Sequence, residues 1–433
     1  MRCANRTEPS RILKDVEENL GKADVAIVGG GVIGAACALE LARRGAEVRV
    51  LERGRLGHGC SYGNAGWLTA SLALPLAAPG QTLKALGWLF NRESPFYIRP
   101  RFDLTLASWL VRFLANSRQA PFERGARALI ELSRWSVDFW ERLERRAPES
   151  FGFARNGLLS VYENEKSLAA AERRAELTAR FGIPYEIWNV ETIRRREPAI
   201  CGDVIGGLFF PEDALCDPYP AVLALVHEAK RLGVRFEEQA EVLDITPNGT
   251  GNRVRTSRGV IHAKEIVIAA GVWSGSFGRR LGLRLPMLGA KGYSLLARRR
   301  EPHPACSIYL AERKIAISPH SNALRISGTL ELVGEDLSVD RRRVAAMVRG
   351  AGQMLDLGEV STADVDVWRG LRPCMPDGMP AIGRARGARN VWLATGHQMT
   401  GLKTAPGTGR LLAELISGET PTVDPAPFRA DRF

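Results

Sequence analysis

The sequence predicts an α/β protein: a Rossmann-like domain interleaved with an α+β domain that carries a mainly antiparallel sheet. Three observations predict it. Residues 24–53 read as a complete strand–helix–strand unit around a Gly-x-Gly-x-x-Gly turn. A second buried apolar strand, ending in small residues, recurs at 265–274. The segments between alternate like antiparallel strands, so nucleotide-type elements stand at both ends and in the middle of the chain. At 433 residues the chain exceeds what one core usually holds. We assign 23–84, 212–285 and 366–424 to the nucleotide domain, and 85–211 and 286–365 to the second domain. Residues 1–22 carry mixed charge and no apolar run, and read as an extension rather than a secretory signal.

The first strand, 25–28, feeds the turn at Gly29, Gly31 and Gly34. Gly29 permits the tight turn, Gly31 admits a pyrophosphate to the backbone, and Gly34 lets helix and strand pack closely. The helix start at Val32 and Ile33 supplies unpaired N–H groups for that phosphate. The helix runs to Arg44 and breaks at Gly45. The second strand, 47–51, ends in Glu52, where a carboxylate accepts ribose hydroxyls and repels a 2′-phosphate. A loop of small residues, 57–66, follows. Helical spacing predicts helices over 104–117 and 121–147, with Trp109, Trp135, Phe139 and Trp140 as core. Strands are expected at 157–163 and 206–211, and a helix at 164–181. Asp217-Pro218 starts a helix with an acid cap and a proline in its first turn, ending at Arg231. Residues 234–236, 240–245, 253–256 and 259–262 alternate like a small antiparallel sheet. More strands are expected at 292–297, 314–318 and 324–329, then helices over 340–356 and up to Ser417.

Lys plus Arg number 60 and Asp plus Glu 48, a net +12. The arginine pairs are scattered, which fits a solvated basic surface or weak attraction to an anionic membrane. No nucleic-acid module is visible, and nucleic acid is not an expected partner. Seven dispersed cysteines without C-x-x-C spacing fit free thiols in a reducing cytoplasm. Six histidines form no H-x-x-x-H pair, so no metal is expected. The apolar stretch 67–90 contains Pro75, Pro79, Gly80 and Lys84, which argue against a spanning helix.

Several stretches together resemble the D-amino acid dehydrogenase family, a branch of the FAD-dependent oxidoreductases that includes D-amino acid oxidase, glycine oxidase and sarcosine oxidase. They are Ser61-Tyr-Gly-Asn-Ala-Gly66, Ala77-Ala-Pro-Gly80, Lys291-Gly-Tyr-Ser294, Gly370-Leu-Arg-Pro373 with Pro376-Asp-Gly378, and Thr395-Gly-His397 with Gly401. The resemblance runs from Asp24 to about Arg429.

The resemblance implies FAD, held non-covalently. Gly29, Gly31, Val32, Ile33, Gly34, Glu52 and Arg53 would hold its ADP half. Ser61, Asn64, Ala65 and Gly66 match the loop beside pyrophosphate and flavin, and Val242, Ala270 and Gly271 the second nucleotide strand. Gly401, Leu402, Lys403 and Thr404 would present a helix N-terminus to the flavin pyrimidine, where charge gathers on reduction. Lys403 departs from the aliphatic or aromatic residue expected there. Hydride transfer from the substrate Cα to flavin N5 would give an imine, then a 2-oxo acid and ammonia, with no obligatory general base. Arg372 matches the carboxylate-binding arginine, and Lys291, Tyr293 and His397 are the other candidate catalytic residues. Cys374 lies near the sarcosine oxidases' flavin-linking cysteine, but that position falls at Gly370 here, which argues against covalent attachment. The implied partners are a D-amino acid and a quinone or other electron carrier. A cytoplasmic enzyme, with peripheral contact at the inner face of the cell membrane, fits these readings. An oxygen-using oxidase, a D-hydroxyproline dehydrogenase and a non-catalytic FAD-binding subunit are the alternatives, and an oligomer is compatible with all.

The purified protein should therefore be yellow and should release intact FAD on acid or heat treatment. Chromatography of the supernatant checks this: flavin retained by the denatured chain would contradict non-covalent binding.

Overall fold

Two sheets meet across a central cavity in the computed structural model, which describes residues 19–79, 94–99, 102–360 and 365–433. The elements that build the site are, in chain order, β1 (Asn19–Val28), α1 (Val32–Ala42), β2 (Val48–Leu51), β3 (Gly259–Ile268), β4 (Leu288–Arg298), β5 (Ile315–Pro319), β6 (Ala323–Leu332), α2 (Arg341–Gly352), β7 (Val367–Cys374), β8 (Val391–Thr395) and α3 (Gly401–Ser417).

The first sheet is parallel at its centre. Arg235–Glu237, β2, β1, β3 and β8 lie side by side in that order. Ala381–Arg384 adds an antiparallel edge on β8. The hairpin Val242–Asn248 and Gly251–Thr256 pairs only with the first half of β3. These strands read as near-continuous apolar runs because helices cover the parallel core. On one such layer Gly409 of α3 meets α1, where an added Cβ would stand 2.5 Å from the Ala36 carbonyl oxygen. The buried Trp140 indole donates to the Leu402 carbonyl at 3.1 Å and holds the first turn of α3.

The second sheet runs β7, β4, β6, β5, then Ser307–Leu310, Leu158–Tyr162, Gly206–Phe210 and Glu186–Trp188. It is parallel where Ser307–Leu310 meets Leu158–Tyr162 and where Phe96–Ile98 joins β6, and antiparallel elsewhere. Its faces differ in chemistry. Tyr293, Leu295, Ile317 and Ile326 form a core with Val344 and Met347 of α2. Ala316, Ser327, Thr329, Trp368 and Arg372 face the cavity instead.

Several expectations need correction. Residues 234–236 do not join a small antiparallel sheet: Arg235–Glu237 pairs in parallel with β2. Residues 259–262 and 265–268 form one strand, β3, that changes partners halfway. Periodicity within a strand does not reveal its neighbours. Residues 19–22 belong to β1 rather than to an extension, and residues 1–18 lie outside the described residues, as does Gly80. Asp217 stands at the helix N-cap position of Pro218–Arg231, but its side chain accepts no capping bond. Its Oδ1 lies 3.9 Å from an Arg325 nitrogen. The helix expected over 340–356 ends at Gly352.

Gly66 marks one place where backbone touches backbone. It has φ +83°, and a Cβ there would stand 2.1 Å from the Cys216 carbonyl oxygen. Gly66→Ala should therefore cost roughly 2–4 kcal/mol of stability, as steric and backbone strain combine. Thermal unfolding of the variant checks this, and an unchanged Tm would contradict it.

Candidate active site

A cavity of about 1070 Å³ runs between the sheets. It exceeds the roughly 300–1,000 Å³ typical of ligand pockets, so a dinucleotide and a small substrate fit together. Gly29, Gly31, Val32, Ile33, Glu52, Arg53, Ser61, Asn64, Ala65, Val242, Ala270 and Gly271 line one end. Arg372, Thr329, Trp368, His397, Gly401, Leu402 and Lys403 also line it.

The first end has the form of a dinucleotide cradle. Gly29 has φ +108°, and a Cβ there would sit 2.6 Å from the Ala269 oxygen of β3. A Cβ on Gly34 would sit 1.9 Å from the Gly29 oxygen, so α1 presses directly on the turn. Gly31 caps α1 without any side-chain bond, and the Val32 N–H donates to Ser61 Oγ at 3.1 Å. The Val32 N–H, expected to be unpaired, is therefore taken by a hydroxyl of the 57–66 loop, because that loop folds back over the start of α1. Glu52 is anchored by N–H groups of Gly30 and Gly54, at 2.7 and 2.8 Å. Each carboxylate oxygen keeps a lone pair for a ribose hydroxyl. The Arg53 guanidinium stacks on Trp273 at 3.7 Å and closes this end. These residues fit the ADP half of FAD.

Arg372 dominates the other end. Its Nη1 donates to the Thr329 carbonyl at 2.7 Å. The guanidinium lies flat across β4, where a Cβ on Gly292 would come within 2.2 Å of it. Burial pulls its pKa below the ordinary value. It forms no ion pair with a carboxylate among the described residues. Half-buried in the cavity wall and without a carboxylate partner, it is a candidate group for binding an anion. Trp368 stands beside it, in a slot that glycine opens. A Cβ on Gly63 or on Gly370 would lie 2.0 or 2.3 Å from its ring.

Four candidates turn away from this chemistry. Register pairs Ala290 with Arg372 and Gly292 with Gly370, which puts Lys291 and Tyr293 on the opposite face of β4. Lys291 is 1 % exposed and donates to the Ser338 carbonyl at 2.8 Å, with Glu331 at 3.4 Å. The Tyr293 hydroxyl accepts the Asp340 N–H at 3.1 Å, which secures the start of α2. Both therefore brace the sheet from behind and are not catalytic residues. Thr404 is fully buried and donates to the Thr400 carbonyl inside α3. Lys403 lines the cavity, but its ammonium donates to Thr69 Oγ1 at 2.6 Å. Burial lowers its pKa, opposed by the nearby Asp213 carboxylate, which in turn accepts the Ser71 N–H at 3.3 Å. Gly34 and Gly66 support the wall through packing. Gly292, Thr329, Trp368 and Gln398 line or shape the cavity without having been singled out. The glycine of Lys291-Gly-Tyr-Ser294 was the available signal, since it makes room for Arg372.

His397 lines the cavity but is not an acid or base near neutral pH. Its Nε2 lies 3.0 Å from Thr408 Oγ1, and burial drives its pKa down to about 3. The unfolded ring takes a proton near 6.5, the folded ring only near 3. The unfolded state thus binds more protons between those values. The stability held in the neutral ring is complete above about pH 6.5 and lost as pH falls toward 3. His397→Gln should flatten the acid fall of Tm and leave the limb above pH 7 unchanged. Tm measured across pH checks this; an unaltered acid slope would contradict it.

Comparison with known proteins agrees with this geometry. The family described as DAO, FAD dependent oxidoreductase, matches residues 24–415. The D-amino acid dehydrogenase of Rhizorhabdus wittichii is 34% identical over 420 residues, covering 94% of this chain and 100% of that protein. That of Allorhizobium ampelinum is 32% identical, covering 94% of this chain and 98% of that protein. Among solved structures, glycine oxidase from Geobacillus kaustophilus superposes with TM-score 0.76 at 26% identity, covering 95% of this chain and 99% of that one. L-proline dehydrogenase from P. horikoshii has TM-score 0.74 at 20% identity over 95% of this chain and 98% of its own, a likeness of fold alone. This chain belongs to the DAO family of FAD-dependent oxidoreductases.

Proposed function

We propose that this protein is an FAD-dependent D-amino acid dehydrogenase, which converts a D-amino acid to a 2-oxo acid and ammonia. One observation carries the reading: a half-buried arginine without a carboxylate partner lines the same cavity as the dinucleotide cradle. The names of the relatives support the D configuration. FAD, when bound, supplies the two-electron acceptor for the substrate Cα–H bond. Arg372 binds the substrate carboxylate through a planar fork, which fixes the orientation of the Cα–H bond. Its positive charge also disfavours the ammonium form of the substrate, so the amine is held neutral. Phe96, Trp109, Phe113 and Leu330 give the cavity apolar wall that excludes water. The imine then meets water and hydrolyses without a dedicated base.

Electrons pass to a quinone or another carrier rather than to oxygen in this reading. No helix among the described residues is long and apolar enough to cross a membrane. Phe102, Leu104, Val111 and Leu114 are exposed, and Leu114 also lines the cavity. With the net charge of +12, these exposed apolar residues support peripheral contact with an anionic membrane. The similarity to glycine oxidase favours the second reading, an oxygen-using oxidase.

Anaerobic mixing with D- and L-amino acids, followed by flavin bleaching, tests the function. D-amino acids should bleach the flavin and L-amino acids should not. Reoxidation should be fast with a quinone or dye and slow with oxygen; peroxide formed as fast as dye reduction would support the oxidase. Arg372→Ala should lose roughly 10²-fold in kcat/KM, about 2.7 kcal/mol at 1.36 kcal/mol per decade. Arg372→Lys should recover only part of this, because the ammonium lacks the bidentate fork. FAD content should stay near that of the parent. Lost flavin with normal substrate affinity would make Arg372 a structural residue.

A further inference from the structure

Two backbone-strained residues flank Arg372. Thr329 has φ +60° and Gln398 has φ +50°, a region that side-chain-bearing residues rarely adopt and β-branched ones least of all. Both line the cavity. Each is tied by its backbone to the Arg372 segment. The Thr329 carbonyl accepts from Arg372 at 2.7 Å, and the Gln398 N–H donates to the Pro373 carbonyl at 3.1 Å. Each also holds a buried side-chain polar atom with no partner: Thr329 Oγ1 and Gln398 Nε2. Buried polar atoms are almost always paired in folded proteins. Strain and missing partners recurring on the two neighbours of one arginine point to a ligand that completes all three.

We propose that Thr329 and Gln398 are substrate-contacting positioning residues: Gln398 Nε2 donates to the substrate α-carboxylate beside Arg372, and Thr329 Oγ1 accepts from the α-amine. The inference rests on the amino-acid reading above. The division follows from donor chemistry. An amide nitrogen only donates, and a carboxylate only accepts. Arg372 has one Nη1–H committed to Thr329; a fork from its other N–H groups makes one bond to each carboxylate oxygen and leaves each a further lone pair for another donor. The amine needs an acceptor, and a neutral hydroxyl suits it better than an anion. A carboxylate there would stabilise the ammonium, the form that resists oxidation. Among the described residues lining the cavity the carboxylates are Glu52 and Glu241, beside the dinucleotide cradle. The amine is therefore received by a hydroxyl that binds it without fixing its proton.

The test uses FAD-loaded enzyme and two probes. D-alanine carries both recognised groups, and its dissociation constant comes from the concentration dependence of anaerobic flavin reduction. Propionate carries the carboxylate alone, and its constant comes from a flavin difference spectrum. Thr329→Val keeps the branched shape and should weaken D-alanine about tenfold while leaving propionate unchanged. Thr329→Ser should restore D-alanine binding. Gln398→Leu should weaken both probes about tenfold. Gln398→Gly should weaken both probes as much, yet raise Tm by roughly 1–2 °C as the strain is relieved. A residue that serves only the fold would not gain stability while losing ligand. The proposal is overturned if Thr329→Val weakens both probes equally or neither, or if the Gln398 variants bind propionate like the parent. If no amino acid reduces the parent enzyme, the amino-acid reading fails and the Thr329 assignment with it. The propionate titrations then decide Gln398 alone.

Discussion

Backbone packed on backbone, with no side chain between, holds the walls of the cavity together. Gly29 against Ala269 joins the turn to β3, and Gly34 against Gly29 seats α1 on that turn. Gly66 against Cys216 ties the 57–66 loop to the short strand Ala214–Leu215. Gly409 against Ala36 brings α3 onto α1. Each contact is closer than any Cβ permits, so each is specific to glycine. The result is a set of amides and helix ends aimed at one space. An anionic dinucleotide placed there would be stabilised by partial charges that need no reorganisation on binding.

The same steric device then serves a full charge. Gly292 opens a flat bed on β4 where the Arg372 guanidinium lies, and the Thr329 carbonyl holds it in place. The protein leaves this half-buried cation without an anion, while it pairs fully buried charges elsewhere. Lys291 and Arg343 share Glu331 behind the sheet. Lys403 has Thr69 and the field of Asp213. The contrast matters because a cation left without an anion in a cavity wall is free to be matched by an anionic ligand. Thr329 and Gln398 store further unfavourable conformation in the same wall. Strain and an unmatched charge are thus concentrated around Arg372, a pattern that accompanies functional sites.

Alternation along β4 explains why one motif gave two different outcomes. In Lys291-Gly-Tyr-Ser294 the large, chemically expressive residues point to the core of α2, and the glycine faces the cavity. The family resemblance suggested Lys291 and Tyr293 as catalytic candidates. Strand parity assigns them to bracing. A period of two separates the faces of a strand, but the sequence does not say which face meets which layer. Register with β7 resolves it, through Ala290 opposite Arg372.

The dinucleotide unit was legible because its parts are contiguous. Strand, glycine turn, helix and terminal carboxylate follow within 24–53, and local spacing alone dictates their geometry. The helices over 104–116 and 165–179 were equally readable from apolar periodicity. By itself the sequence thus determined the class of fold and the glycine turn with its helix and terminal carboxylate, and its resemblance to a known family singled out Arg372. Tertiary structure decided what depends on distant pairing. It joined 259–268 into one strand between two kinds of neighbour, and moved Arg235–Glu237 onto β2. It also set Thr329 and Gln398 beside Arg372, 43 residues separating the first pair. Such residues carry no local signature: left-handed φ values in a threonine and a glutamine arise only when packing imposes them. Local sequence dictates local hydrogen bonding and hydrophobic period. The direction in which a side chain finally points depends on which strands become neighbours.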